Sequence, residues 1–259
     1  MTDLDISKPL STLTFLITRP AQQAHNLCAN IETLGGNCIV FSTLEISPLP
    51  ELQQLLLPIL SNLANVDKVI FLSANAVRFV MPYWPDNCKI PPVFAIGPGT
   101  AKMLAEFRIK SHTPYANAFN SEGLLSLPEL QVVAGQKIVI FSGLDGRMLL
   151  ENTLKAREAR VKQVAVYQRN LPPVDFQAHL SQWQLETIAC IISTSSESLN
   201  NLWLIAGKEG QAWLRNQQLL VISRSMAELA QKLGFLLAPL IAANASDSAI
   251  LDTLLASHL

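Results

Sequence analysis

The sequence has no surplus of either charge. Its 259 residues include 19 lysines and arginines against 20 aspartates and glutamates, which gives a formal net charge of -1 without any basic cluster. Proteins that bind nucleic acids or membrane surfaces usually present a basic face. The composition therefore argues against both kinds of partner, and any bound anion must be held by local groups.

Long apolar runs and metal-ligand spacings are missing as well. The most hydrophobic stretch, FLLAPLIAANA from Phe235, is too short to span a bilayer. The first residues, MTDLDISKPL, have an acidic pair and no apolar core, unlike a secretory signal, so a cytoplasmic location is expected. The four cysteines and four histidines are scattered without a C-x-x-C, which argues against a disulfide framework and against a metal site.

The sequence also lacks the motifs of nucleotide-binding proteins and of serine hydrolases. The GPGT turn from Gly97 to Thr100 has no third glycine of the dinucleotide fingerprint, and there is no G-x-x-x-x-G-K-[ST]. There is no G-x-S-x-G elbow. No D-x-D follows a predicted strand, which disfavours a nucleotide-sugar transferase.

What is present is a repeated alternation of short apolar runs with helical periodicity. The predicted strands include TFLIT, KVIFLS, VFAIG, KIVIFSG, IACIIS and LLVIS, and each precedes a stretch with apolar residues every three or four positions. Continuous apolar runs are typical of strands that are covered on both faces. The sequence therefore predicts an α/β fold with parallel sheets.

A longer repeat lies over this alternation. Residues 14–46 and 137–169 share the order strand, turn, helix, strand, and VIFLSANAV resembles CIISTSSES. AIGPGTAKML likewise resembles VISRSMAELA. The period is much longer than that of a solenoid and predicts two similar domains, which spacing alone would divide near Ala134.

Small and hydroxylated residues follow most of the predicted strands. Ligands of parallel sheets bind outside the carboxyl ends of the strands, where the N–H groups of helix N-termini attract anions. The alternative is that these residues only cap helices, and Ser225 with Glu228 fits a capping box. Strand ends of this kind recur in both halves, so we expect the residues at them to bind substrate. These residues are Arg19, Ser73, Gly97, Gly99, Thr100, Ser193, Ser195, Ser223 and Ser225.

The order of the motifs resembles the uroporphyrinogen-III synthase family along almost the whole chain. The shared stretches are LITRP, LSANAV, AIGPGTA, SEGLL, a G-x-x-G-R that ends at Arg147, VAVYQR and IISTSSESL. The resemblance implies two α/β domains joined by a two-stranded β linker, with the active site in the interdomain cleft. It assigns residues 1–43 and 170–259 to one domain and residues 44–169 to the other.

The resemblance also implies an activity. Enzymes of this family cyclise hydroxymethylbilane, a linear tetrapyrrole, to uroporphyrinogen III, with inversion of ring D through a spiro intermediate and loss of water. No cofactor is expected for this chemistry. The expected partners are the tetrapyrrole substrate and hydroxymethylbilane synthase as its supplier, and the expected state is a monomer.

Particular residues match family positions. Tyr167 is expected to be catalytic as a weak acid, although it is equally compatible with a purely structural aromatic in a β ladder. Thr100 matches a substrate-facing threonine, whereas Met226 replaces its counterpart in the second repeat, with Ser225 beside it. Arg19 and Arg147 are expected either to pair with substrate carboxylates or to brace their turns.

A second hypothesis is a non-catalytic two-domain protein that binds a small polyanion. The lack of a secretory signal argues against a periplasmic binding protein of this kind. Motif order along the whole chain favours the synthase.

Overall fold

The computed structural model describes residues 8–86, 89–115, 118–146, 148–257 and 259. The chain folds as two compact units. The first unit runs from the chain start to Glu45 and resumes with Asn170–Leu259, and the second unit is Ile46–Arg169. The first predicted boundary, after residue 43, lies two residues before the end of this first segment.

Short strands of three to seven residues are the rule, with β7 longer and β10 shorter. They are β1 (Thr14–Ile17), β2 (Asn37–Val40), β3 (Glu45–Pro48), β4 (Lys68–Phe71), β5 (Val93–Ala95), β6 (Lys137–Gly143), β7 (Arg160–Asn170), β8 (Ile188–Ile192), β9 (Leu219–Val221) and β10 (Leu240–Ile241). Their interiors are rich in valine, isoleucine, leucine and phenylalanine, as expected for buried strands.

Helices follow most of these strands, as the alternating pattern predicts. They are α1 (Ala21–Thr33), α2 (Leu52–Leu60), α3 (Ala74–Val80), α4 (Pro98–Glu106), α5 (Ser121–Leu125), α6 (Pro128–Gln131), α7 (Leu149–Ala156), α8 (Phe176–Glu186), α9 (Ser196–Leu214), α10 (Arg224–Leu233) and α11 (Asp247–Ala256). No helix within the described ranges is long and apolar enough to cross a membrane.

Each unit contains its own five-stranded sheet. The first has the order β10-β9-β8-β1-β2, and all its neighbouring strands are parallel. The second has the order β3-β7-β6-β4-β5, with parallel pairing from β7 through to β5. The chain passes between the units within β3 and again within β7, which are neighbours in the second sheet. The predicted α/β fold with parallel sheets is confirmed.

The sheet of the second unit is covered on both faces. Val139 and Phe141 of β6 pack in one core with residues of α2, α3 and α4. The alternate residues Ile138 and Ile140 pack in another core with α5, α6 and α7. Both sets are buried because successive side chains of a strand point to opposite faces, and this explains the continuous apolar run of the sequence.

The two sheets share one arrangement of strands. β1 and β2, in the first copy of the repeat, correspond to β6 and β7 in the second, and β8 and β9 correspond to β4 and β5. The orders β2-β1-β8-β9 and β7-β6-β4-β5 are therefore the same. A parallel bridge from Phe94 to His112 lies beside β5, where the first sheet has β10 beside β9.

Candidate functional site

A cavity of about 330 Å³ opens at the carboxyl ends of the strands in the second unit. Leu72 and Ile96 directly follow β4 and β5, and Gly143 ends β6. This is the edge where parallel sheets bind their ligands. We call it the strand-end cavity; it is lined by Leu72, Ile96, Ser121, Ser142, Gly143, Leu144, Asp145, Gly146, Tyr167 and Arg169.

Tyr167 lies in the wall of the strand-end cavity. It is part of β7, and its side chain is buried, with 4% of the residue exposed. Its ring stacks on Phe79 with centroids 6.1 Å apart, and its hydroxyl accepts a hydrogen bond from Ser73 Oγ at 3.1 Å. The phenol is therefore fixed in orientation at the edge of an open space, which a general acid requires.

Gly143 makes room for the Tyr167 ring. A Cβ at position 143 would lie 2.8 Å from Cζ and 3.0 Å from the hydroxyl oxygen of Tyr167, closer than real Cβ contacts. The pairing of β6 with β7 shifts register between Ser142 and Gly143, which brings Gly143 opposite Tyr167. The tyrosine can occupy this position because the strand end opposite it has no side chain.

Polar side chains hold the turn after β6. Gln163 Nε2 donates to Ser142 Oγ at 3.2 Å, and Ser142 Oγ donates to the Gly143 carbonyl at 3.0 Å. The Gly143 carbonyl also accepts from the Gly146 amide at 3.0 Å. Gln163 Oε1 is buried without a hydrogen-bond partner among the described residues. Arg147, expected to bind substrate beside this turn, lies outside the described residues.

Three of the predicted serines cap helices. The Oγ atoms of Ser73, Ser195 and Ser223 accept hydrogen bonds from the backbone amides three residues later, at 3.0, 3.0 and 3.2 Å. Because Ser223 is the N-cap of α10, the capping box proposed for Ser225 and Glu228 is wrong. Ser225 is exposed within the first turn of that helix.

The glycine-rich turn adjoins the cavity but does not line it. Gly97 is the N-cap of α4 in an extended conformation, with φ of -172°. Thr100 is buried in the first turn, whereas a Cβ on Gly99 would have no atom within 4 Å. Ile96, one residue earlier, is part of the cavity wall. That this turn binds a carboxylate group of the substrate therefore stays a prediction.

Arg19 is buried in the first unit and makes bonds within the protein. Its guanidinium donates to Asp247 Oδ1 at 2.6 Å, to the Ala245 carbonyl and to Thr194 Oγ1. Its side chain is 6% exposed. These bonds favour the bracing alternative, because they join the end of β1 to the start of α11 and to the turn after β8.

Ser193 is fully buried after β8 and donates to the Ser195 carbonyl at 3.4 Å. It therefore stabilises the turn that leads into α9. Its predicted contact with substrate has no exposed atom to support it in this conformation.

Several residues that line the strand-end cavity were not predicted from the sequence. Leu72, Ile96, Ser121 and Arg169 were not proposed, although SEGLL contains Ser121 and VAVYQR contains Arg169. Arg169 lies two residues after Tyr167 in β7, so both side chains are on the same face of the strand. That spacing is a signal that the sequence alone could have provided.

Comparisons with known proteins identify one family. The profile described as Uroporphyrinogen-III synthase HemD matches residues 26–252. The chain is 35% identical to the uroporphyrinogen-III synthase of Escherichia coli K12 and 34% identical to that of Salmonella typhimurium LT2. Each match covers 86% of this chain and 92% of the relative.

Solved structures show the same fold. A uroporphyrinogen III synthase from the thermophile Thermus thermophilus superposes with a TM-score of 0.57 at 17% identity, covering 95% of this chain and all of the other. A uroporphyrinogen-III synthetase from Helicobacter pylori 26695 gives a TM-score of 0.58 at 16% identity, covering 94% and 99%. At these identities the likeness concerns the fold alone.

Proposed function

Since this chain belongs to the uroporphyrinogen-III synthase family, we propose that it converts hydroxymethylbilane into uroporphyrinogen III. It is a lyase of tetrapyrrole biosynthesis. The observation that carries the assignment is the 35% identity to a named synthase over most of both chains. The non-catalytic polyanion binder is not favoured, because the profile and the curated relatives all belong to the synthase.

The reaction begins with departure of the terminal hydroxyl. The C–O bond breaks with its electron pair on oxygen, an acid supplies the proton that makes water, and the pyrrole nitrogen keeps its hydrogen and supplies electrons to form a protonated, cationic azafulvene. The substituted carbon of ring D then attacks the azafulvene and forms a spiro intermediate. The spiro intermediate then breaks the original bond between ring D and its bridge carbon, and the ring closes through the unsubstituted α carbon of ring D, which leaves ring D inverted. The proton lost from that α carbon restores the acid.

Tyr167 is our candidate for the acid. The phenol oxygen lies at a cavity wall, and its ring is fixed by Phe79 and by the backbone of Gly143. A phenol in this setting is able to donate its proton to a leaving hydroxyl within hydrogen-bond reach. The surrounding groups supply geometry, which is the main need of a reaction that otherwise closes to the wrong isomer.

Other cavity residues are candidates for the acetate and propionate groups of the substrate. Arg169 brings a guanidinium to the same wall, where it can pair with a carboxylate in bidentate fashion. Ser121 adds a hydroxyl. In the first unit, Ser195, Ser223 and Ser225 are proposed to receive further carboxylates. A cytoplasmic location, a monomeric state and supply by hydroxymethylbilane synthase are proposed from the family resemblance.

The test is analysis of the product isomer. Freshly prepared hydroxymethylbilane is incubated with the protein, the product is oxidised, and the type I and type III isomers are resolved by chromatography. We expect type III from the protein and type I from the enzyme-free control. Type I alone from both samples would overturn the assignment, and stoichiometric retention of unreacted bilane would favour the polyanion binder.

The role of Tyr167 is tested by Tyr167→Phe. This removes the hydroxyl and leaves the ring on Phe79 and Gly143, so the fold is expected to persist. We expect formation of type III to slow by about 100-fold, the lower range for general acid catalysis. An unchanged initial rate, with an unchanged circular dichroism spectrum, would exclude Tyr167 as the acid.

A further inference from the structure

Ser73 has a contact that distinguishes it from the other capping serines. Its Oγ accepts from the Ala76 amide at 3.0 Å, which is the ordinary cap of α3. The same hydroxyl donates to Tyr167 Oη at 3.1 Å, across 94 residues of sequence. A serine hydroxyl has one proton and two lone pairs, so it can cap the helix and donate to the phenol at the same time.

The partner groups fix the direction of the phenol proton. Because Tyr167 Oη accepts from Ser73, its own O–H remains available as a donor. Phe79 and Gly143 restrain the ring, so the phenol cannot turn away as a whole. The remaining freedom is rotation of the hydroxyl proton, and the bond from Ser73 restricts it.

Ser73 itself is not among the described residues that line the strand-end cavity, whereas Tyr167 is. A direct contact with substrate, which the sequence suggested for Ser73, is therefore less well supported than an action through Tyr167. We infer that Ser73 is a positioning residue, whose hydroxyl bond orients the Tyr167 O–H toward the departing hydroxyl of the substrate. This rests on the proposed function and assigns to Ser73 a role beyond helix capping.

The decisive variant is Ser73→Gly. Glycine is tolerated at N-caps, so α3 loses little stability while the bond to Tyr167 disappears. We expect kcat for type III formation to fall about tenfold, the rate equivalent of one hydrogen bond. KM is expected to stay within about twofold, because a group that acts only on the reacting step leaves ground-state binding unchanged.

A matched control separates capping from positioning. Ser246 caps α11 with the same geometry, since its Oγ accepts from the Ala249 amide at 3.2 Å, and it pairs with Ser248 Oγ where Ser73 pairs with a tyrosine. Ser246→Gly should shift Tm by a similar small amount and leave kcat at the wild-type value. Ser73→Thr keeps a hydroxyl at a capping position and should restore most of the lost kcat.

A double-mutant cycle with Tyr167→Phe completes the test. If Ser73 acts through the phenol, Ser73→Gly should not lower kcat further once the phenol is absent. Additive losses, or a rise in KM with unchanged kcat, would overturn the inference and favour direct substrate binding. A kcat for Ser73→Gly equal to that of Ser246→Gly would overturn it in favour of simple capping.

Failure of the inference and failure of the function give different results. If the wild-type protein forms only type I product, the proposed function fails. If the wild type forms type III and Tyr167→Phe is slow, while Ser73→Gly is as fast as wild type, the inference alone fails. If Tyr167→Phe is itself as fast as wild type, both the acid and its positioning residue are excluded.

Discussion

At the residue scale, the site depends on the absence of a side chain. Gly143 lies opposite Tyr167, and no larger residue fits there without displacing the ring. The sequence shows this glycine as part of a G-x-x-G-R motif. It does not show that the position needs glycine because the Tyr167 ring lies against it. The two residues lie on different strands, β6 and β7, and their contact depends on a register shift between these strands.

Gly143→Ala should therefore reduce activity through Tyr167. The new Cβ lies 2.8 Å from Cζ, so the ring must move or the strand end must shift. We expect a loss of about 1–3 kcal/mol in the free energy of unfolding, in the range of overpacked cores. We also expect formation of type III to slow, measured by initial rates. Wild-type rates at wild-type stability would contradict the close packing.

Gly99→Ala is the contrasting change. The Cβ meets no atom within 4 Å, and alanine favours a helix over glycine by up to about 1 kcal/mol. Stability measured by urea unfolding should be equal or higher. If the turn receives a substrate carboxylate, KM should rise. A destabilised variant would instead give the turn a purely structural role.

The buried thiol of Cys190 should make the free energy of unfolding depend on pH above about pH 9. It is fully buried in β8, and burial raises its pKa above the ordinary value of 9.0. Above pH 9 the unfolded thiol loses a proton that the folded thiol keeps. Stability therefore falls as pH rises, with a slope of at most about 1.4 kcal/mol per pH unit from this group.

Cys190→Ala should remove that contribution. Urea unfolding at a series of values from about pH 8 to about pH 10.5 measures the slope, because in that range the unfolded thiol ionises while the buried folded thiol stays protonated. The variant is expected to be less stable at pH 8, owing to lost packing, but to decline less steeply above pH 9. Parallel curves for the two proteins would contradict the assignment to Cys190.

At the element scale, helix starts and strand ends were predicted better than the bonds that join them. The caps Ser73 and Ser195 lie where small residues follow apolar runs, as the local pattern predicts. Ser223 caps α10 in place of Ser225, because the turn after β9 is only two residues long. Local sequence is informative about such features because an N-cap contacts amides three residues away.

The bonds of Arg19 are the opposite case. Its partners Thr194 and Asp247 are 175 and 228 residues away in the sequence. Nothing in LITRP distinguishes a guanidinium that braces three elements from one that binds a substrate carboxylate. The fold is needed for that decision, and it favours bracing.

Arg19→Met should then destabilise the first unit. The change leaves the Asp247 carboxylate without its 2.6 Å partner, at a position where that side chain is 28% exposed. We expect a loss of about 1–3 kcal/mol in the free energy of unfolding, with KM nearly unchanged. Lys232→Met, which removes an exposed cation from the last turn of α10, is the control. A raised KM at wild-type stability would instead indicate that Arg19 binds a substrate carboxylate.

At the scale of the whole molecule, the internal repeat of the sequence predicts that the two units have sheets with the same strand order. Once the two copies are aligned, the positions of β4 and β5 beside β6 match those of β8 and β9 beside β1. The outer strands were harder to predict. β3 and β10 have no counterpart of equal length in the other sheet, and β10 has only two residues. The cavity wall was also missed in part, because its residues come from the ends of four strands, β4, β5, β6 and β7, and from the start of α5.

The second unit is continuous in sequence, and this predicts independent folding. Ile46–Arg169 contains nearly all of its sheet and the helices that cover both faces. A chain of residues 46–169 should unfold cooperatively in urea and keep its helical circular dichroism. Residues 170–259 alone lack β1, an interior strand of the first sheet, and should remain unfolded. The prediction would be wrong if residues 170–259 alone unfolded cooperatively, or if residues 46–169 alone did not.

The discontinuous first unit also has a consequence during synthesis on the ribosome. The hydrogen bond from Thr18 Oγ1 to the Ile192 carbonyl joins residues 174 positions apart. At roughly 5–20 residues per second, β1 leaves the ribosome about 10–35 seconds before β8, the strand that it pairs with. During that interval its four apolar or weakly polar residues, TFLI, lack one of their neighbours, while the second unit emerges complete. β1 therefore stays accessible to chaperones during that interval, and its sheet is completed only after the second unit has emerged.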